Sequence, residues 1–146
     1  MGLRLDAYIP DTWLETPALK FELHKTLDGC RKLTDLQAIA HKARDRFGAF
    51  PPPVVRLFQA KAIRLRCREL GIGRVEAADR TIRLRLDGPL PKELAAAKLP
   101  EIIHVQPEGK MVALFVRPHL DQDTALDLLC RLLGCGHALW ATVAKG

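Results

Sequence analysis

The chain has 146 residues, enough to bury the core of one domain. Its 48% hydrophobic and 27% charged residues match an ordinary soluble globular domain, and no internal repeat or low-complexity tract appears. No apolar run approaches the roughly 20 residues of a membrane-spanning helix, and the first residues lack the long apolar centre and cleavage site of a signal peptide. A net charge of +6 permits an acidic partner without choosing between nucleic acid and protein.

In chain order, Leu3 to Pro10 alternates and stops at a proline, which reads as a short strand or extended lead-in. The abrupt extended start suggests a segment of a longer protein. Pro17 to Leu27 is predicted helical, with Leu19, Leu23 and Leu27 on one line, Thr16 as its cap and Asp28-Gly29 ending it. Thr34 and Gln37 form a capping-box pattern opening a second helix, whose stripe is Leu36, Ile39, Ala40, Ala43 and Phe47. Gly48 closes it in a left-handed conformation. Pro51, Pro52 and Pro53 follow, and proline suits the first turn of a new helix because its missing N–H costs nothing there.

That third helix, Val54 to Leu70, is the predicted centre of the chain. Val54, Phe58, Ala62 and Leu65 share one face, and Ala60, Ile63, Cys67 and Leu70 another. Lys61, Arg64 and Arg68 form a basic seam between them. A helix apolar on two sides is buried between two layers.

After Gly71-Ile72-Gly73 the period changes. Arg74–Ala77 and Thr81–Leu86 read as a hairpin with Ile82, Leu84 and Leu86 inward. A short helix is predicted over Pro91–Ala97, stopped by Pro100. Ile102–Val105 and Met111–Val116 read as two more strands around a turn Pro107–Lys110. A last helix runs from Asp121 or Asp123 to Leu133, with Leu126, Leu129, Leu132 and Leu133 apolar and Gly134 capping. Beyond Gly136, Leu139 and Trp140 are candidates to pack down while the rest frays. The predicted fold is α+β. An N-terminal helical subdomain of about three helices packs with a small antiparallel sheet and a C-terminal helix. Residues 1–146 form a single domain, with 3–71 mainly helical and 72–134 mixed.

Catalytic signals are sparse. There is no GxxxxGK[ST] phosphate loop, and Gly109-Lys110 sits in a hairpin turn with no following helix. The sequence contains no serine, so no serine nucleophile exists. Cys30, Cys67, Cys130 and Cys135 form no CxxC pair and read as small buried residues of a reducing compartment. Cys130, Cys135 and His137 match no common zinc spacing, and no metal or cofactor is expected in this chain. Asp45 and Arg46 read as a charged pair at a helix end, orienting the Gly48 turn by ion pairing. The arginine stripes, namely the Lys61 seam, Arg83 with Arg85, and Arg44 with Arg46, have no interleaved aromatics, so solvated faces outweigh protein docking and, further behind, nucleic acid.

Several stretches together resemble the C-terminal domain of bacterial transcription-repair coupling factors. They are Ala7-Tyr8-Ile9-Pro10, then Asp45-Arg46-Phe47-Gly48 with Pro51 or Pro52 behind it, then the long helix ending in Leu70-Gly71-Ile72. The resemblance covers about residues 4–86. Trp13-Leu14, Lys42-Ala43-Arg44 and the proline run depart from the usual pattern. The resemblance implies a bacterial, cytoplasmic DNA-repair protein. In full length it would be an ATP-driven DNA translocase that displaces stalled RNA polymerase and recruits UvrA for nucleotide excision repair. ATP and magnesium would bind motor domains upstream, and DNA would be held by that motor. This domain would be non-catalytic, packing on the UvrA-binding module and the motor of the same protein and masking the module by autoinhibition. The expected interaction surface is Lys61, Arg64 and Arg68 with Asp45 and Arg46, and the structural turn is Phe47, Gly48, Pro51 and Pro52. The competing expectation is a nucleic-acid-binding module using the basic helix and strand faces. No membrane partner is expected.

Overall fold

A computed structural model describes residues 7–77, 80–92, 99, 101–116 and 121–144. Three helices come first: α1 (Pro17–Asp28), α2 (Leu33–Phe47) and α3 (Pro52–Leu70). Strands β1 (Ile72–Ala77), β2 (Thr81–Leu86), β3 (Ile102–Glu108) and β4 (Met111–Val116) follow, then α4 (Gln122–Leu133) and α5 (His137–Val143). The strands make one antiparallel sheet in the order β1-β2-β4-β3. The fold is α+β.

Local chemistry sets most helix ends. The Thr16 hydroxyl accepts from the Leu19 N–H at 3.3 Å, capping α1 beside Pro17. Pro51 precedes α3, and Pro52 and Pro53 fill its first turn, where no N–H is needed. Gly71 and Gly134 end α3 and α4 in the left-handed region, at φ 73° and 72°.

Two ends differ from the sequence reading. Helix α2 starts before Thr34, with Lys32 at the N-cap and no side-chain cap. Leu33 packs against the core, which draws it into the first turn and moves Thr34 inside the helix. The capping box therefore does not form. Gly48 has a positive φ of 89° but a ψ of −170°, so it is not left-handed helical. It takes an extended conformation essentially reserved for glycine, and its N–H still bonds the Arg44 carbonyl at 3.0 Å.

Helix α3 is buried on both predicted faces: Val54, Phe58, Ala62 and Leu65, and Ala60, Ile63 and Cys67, are all shielded. Leu70 at its end is half-buried. The helix packs on α2, on β1, and on both α4 and α5. An aromatic chain crosses this layer. Trp13 meets Phe50 edge-on at 5.1 Å, Phe50 meets Phe58 at 4.9 Å, and Phe58 meets Trp140 at 6.1 Å. Such pairs add about 0.5–1.5 kcal/mol each beyond the area they bury. Trp140 is fully buried and lies in a helix, so α5 is an ordered part of the core rather than a fraying tail.

In the sheet, Ile82, Leu84 and Leu86 point inward as predicted. Strand β1 begins at Ile72, earlier than the alternation indicated, because Gly73 is an extra residue in a bulge between Ile72 and Arg74. Strand β3 continues through Pro107 to Glu108, so the turn shrinks to Gly109-Lys110. Proline is tolerated because β3 is an edge strand, with a side that need not donate to a ladder. The predicted helix Pro91–Ala97 and the residues Leu3–Asp6 of the lead-in lie outside the described residues. Ala7–Pro10 carries no regular strand.

Candidate functional site

The charged residues singled out by the sequence fall on two separate clefts. Arg64 and Arg68 line the first, with Cys67, Gly71, Ile72, Gly73, Arg74, Val75 and Asp87, around about 360 Å³. One wall is the last two turns of α3 and the other is the start of β1. Arg64 and Arg68 are exposed, while Lys61 is half-buried and does not line this space. Arg74 joins the two seam arginines because the chain doubles back at Gly71, where the left-handed turn sends β1 alongside the helix that precedes it. The signal for this was the Gly71-Ile72-Gly73 reversal, which reads only as a boundary in the sequence. Arg74 pairs with Glu76 at 2.8 Å, whereas Arg64 and Arg68 have no ion pair among the described residues.

The second cleft, of about 220 Å³, lies between α1 and α2. Leu19, Leu23, Ile39, Ala43 and Phe47 supply apolar lining, and Glu22, Thr26, Lys42 and Arg46 supply polar groups. Asp45, which precedes Arg46 in α2, is exposed and does not line this cleft. Neither Asp45 nor Arg46 forms an ion pair among the described residues, so the ion pairing expected within the helical subdomain is not found. Neighbours in sequence point to different sides of a helix, and the Arg46 guanidinium instead lies 4.8 Å from the centre of the Phe47 ring. Phe47 also meets Trp13 edge-on at 5.5 Å. Phe47 thus ties the end of α2 to the aromatic chain, while the Gly48 N–H bonds the Arg44 carbonyl and Pro51 and Pro52 open α3.

The basic stripe of Arg83 and Arg85 is largely balanced. Arg83 lies 3.9 Å from Glu108, and Arg85 lies 3.7 Å from Asp87. The sequence reading missed these partners because they sit across a strand ladder or past a strand end. It also missed the structural arginines Arg56, Arg66 and Arg131. Arg56 grips Asp123 through two bonds of 2.7 and 3.2 Å, and Arg131 holds Glu101 at 2.7 Å.

The four thiols are free and buried. Burial pushes Cys67 up to about 11, and Cys30 is raised by the same cause. Cys130 is raised strongly, first by its hydrogen bond with Cys135 and then by burial. No group of three or more potential metal ligands occurs among the described residues. No helix among them is long and apolar enough to cross a membrane.

Fold and surfaces together define an α+β domain whose charged side chains line open clefts between its helices and at one end of its sheet. The family model for the TRCF domain matches residues 3–96, more than half of the chain, and the chain belongs to that family. The transcription-repair-coupling factor of Mycobacterium tuberculosis (strain CDC 1551 / Oshkosh) is 34% identical over 85 residues, 58% of this chain and 7% of that one. The factor of Staphylococcus haemolyticus is 26% identical over 117 residues, 80% of this chain and 10% of that one. The chain therefore spans a tenth or less of the length of these curated relatives. A crystal structure of the C-terminal domain of transcription-repair coupling factor shares the fold, with a TM-score of 0.70 at 19% identity over 97% of this chain and 91% of that one.

Proposed function

We propose that this chain is the non-catalytic regulatory domain of a transcription-repair coupling factor, and that it docks within the same protein on the UvrA-binding module and masks it. ATP and magnesium would be handled by a motor outside this chain, which would also hold DNA and engage RNA polymerase in the cytoplasm. The observation that supports docking is the cleft between α1 and α2. Its apolar lining offers area to bury, Glu22, Lys42 and Arg46 in it offer both signs of charge for orientation, and exposed Asp45 adds a second carboxylate on the same helix. Masking needs only a preference for the closed state on the order of a few kcal/mol, which engagement elsewhere can overcome.

The test is a UvrA pull-down with the full-length factor. Reversing the two charges together (Asp45→Lys with Arg46→Glu) should raise UvrA capture. Unchanged capture by this variant, with normal thermal unfolding, would remove this face from the masking role. The competing nucleic-acid reading is weakened by the carboxylates beside Arg83 and Arg85, which would repel phosphate. It would return if the chain bound duplex DNA with a steep dependence on salt.

A further inference from the structure

Gln59 on α3 is the only buried polar residue among the described residues, at 8% exposure. A buried amide normally has hydrogen-bond partners. The Gln59 side chain has none among the described residues, and its amide atoms are not sealed inside the core. They open onto a further cleft of about 290 Å³ that Gln59 lines, where the start of α3 meets α4 and α5. Pro52, Val55 and Trp140 give this cleft apolar walls, and Asp123 and Asp127 of α4 give it two carboxylates. In a chain of net charge +6, no lysine, arginine or histidine lines it.

We propose that this cleft takes an arginine side chain presented by a partner protein. The hydrocarbon stem would lie along Pro52, Val55 and the edge of Trp140, and the guanidinium would donate to the Gln59 amide oxygen and to the aspartates. Asp123 and Asp127 are four residues apart, which puts them on one face of α4 about 6 Å apart along its axis. Each already has one cation outside the cleft lining: Arg56 bonds Asp123 at 2.7 and 3.2 Å, and Arg131 lies 2.9 Å from Asp127. Those arginines hold the carboxylates in place without using them up. The Asp123 side chain is 60% exposed and the Asp127 side chain 48%, and an ionised carboxylate accepts about four hydrogen bonds. The acceptors are thus spread over a buried amide and two separate carboxylates. The five donors of a planar guanidinium reach such a set better than the compact ammonium of lysine. Anionic ligands are excluded by the same two aspartates. This site is distinct from the α1–α2 cleft and does not depend on the masking role.

The test is an NMR titration of the whole chain at low salt with a short acetylated and amidated peptide that carries one arginine among alanines and glycines. Saturable shifts are expected at the Gln59 side-chain amide and the Trp140 indole N–H. The same peptide with citrulline, the neutral isostere of arginine, should bind roughly tenfold or more weakly, and the lysine peptide should also bind less tightly. Gln59→Leu and Asp127→Asn should each weaken arginine binding roughly fivefold or more. Without peptide, Gln59→Leu should keep or raise the melting temperature, because it exchanges a buried amide that has no partner for hydrocarbon of similar size. Four results would overturn the proposal: no saturable shift; citrulline or lysine binding as tightly as arginine; a clear fall in the melting temperature of Gln59→Leu, which would make the amide a structural group; or binding that appears only once Lys145 and Gly146 are removed, which would give the cleft to the chain's own end.

Discussion

Arg66 on α3 donates from Nε to the main-chain carbonyl of Leu133 at 2.7 Å, closing the last turn of α4 with a side chain from the central helix. The last carbonyls of a helix lack intrahelical partners, and a cation there also meets the negative end of the helix dipole. Arg66 is partly shielded and is steadied by Glu69 at 2.7 Å. Arg66→Ala should cost about 1.5–3 kcal/mol, the range for a bond to a charged group. Urea unfolding measures this directly, and a loss under about 0.5 kcal/mol would show that water replaces the bond.

Trp140 carries more. It is fully buried, its Nε1 donates to the Cys135 carbonyl at 2.9 Å, and its ring meets Phe58. Trp140→Ala should cost about 3–5 kcal/mol. Helix α5 should then detach locally, seen as loss of amide protection over 137–143 in hydrogen exchange. Retained protection there would mean that α5 is held by other contacts.

A pair of glycines separates conformation from sterics. A Cβ at Gly48 would touch nothing within 4 Å, yet its φ is 89°. Gly48→Ala should therefore destabilise by about 1–3 kcal/mol through backbone strain alone. Gly29 has a φ of −79° and only ordinary contacts for a Cβ. Gly29→Ala should be neutral or stabilising, by up to about 1 kcal/mol, because it restricts the unfolded chain. Equal effects at the two sites would contradict the assigned backbone geometry.

Asp121 gives a pH dependence with a definite sign. Its carboxylate accepts from the Thr124 N–H at 2.7 Å at the start of α4, and that bond, with the Thr124 hydroxyl second, holds its pKa below the ordinary carboxylate value. A group depressed by folding stabilises above its unfolded pKa, about 3.9 for Asp, and loses that contribution as pH falls through the lower folded value. Asp121→Ala should lower the melting temperature near neutral pH, and the gap to the parent chain should shrink in strong acid. A gap constant throughout would mean that the charge of Asp121 contributes nothing.

All four cysteines are free and buried. The three whose thiols are raised, Cys30, Cys67 and Cys130, should resist a thiol reagent in the native state and react together on unfolding in denaturant. Rapid labelling of Cys67 in the native chain would show that the α3–β1 junction opens easily.

Helix positions were legible because their signals are local: Thr16 before Pro17, the prolines at 51–53, and glycines at 71 and 134 each act within one turn. The apolar faces of α3 were legible from spacing alone. What local signals could not carry was pairing at a distance. The sequence indicated two hairpins, but the junction of β2 with β4, which joins them into one sheet, depends on long-range register such as Leu84 opposite Val112. Pro107 looked like a turn residue because its place on an edge strand is a property of the whole sheet. The same limit applied to the site. Arg64 and Arg68 were found from helical spacing, while Arg74 needed the reversal at Gly71, and the pairing of Arg83 and Arg85 with carboxylates needed the assembled strands.

The Phe50 N–H, at the entrance to α3, bonds the Val143 carbonyl at 2.8 Å. Phe50 therefore finds its permanent partner 93 positions later, at the end of α5. On a ribosome, α1 to α3 would emerge with one side of their layer still open and would stay so while the sheet was made. Chaperones that scan nascent chains for exposed aromatic rings would meet Phe50 and Phe58 during that interval. Completion of the helical layer is thus timed by the arrival of its last segment, and a stop codon before Trp140 would leave the earliest part of the domain unfinished.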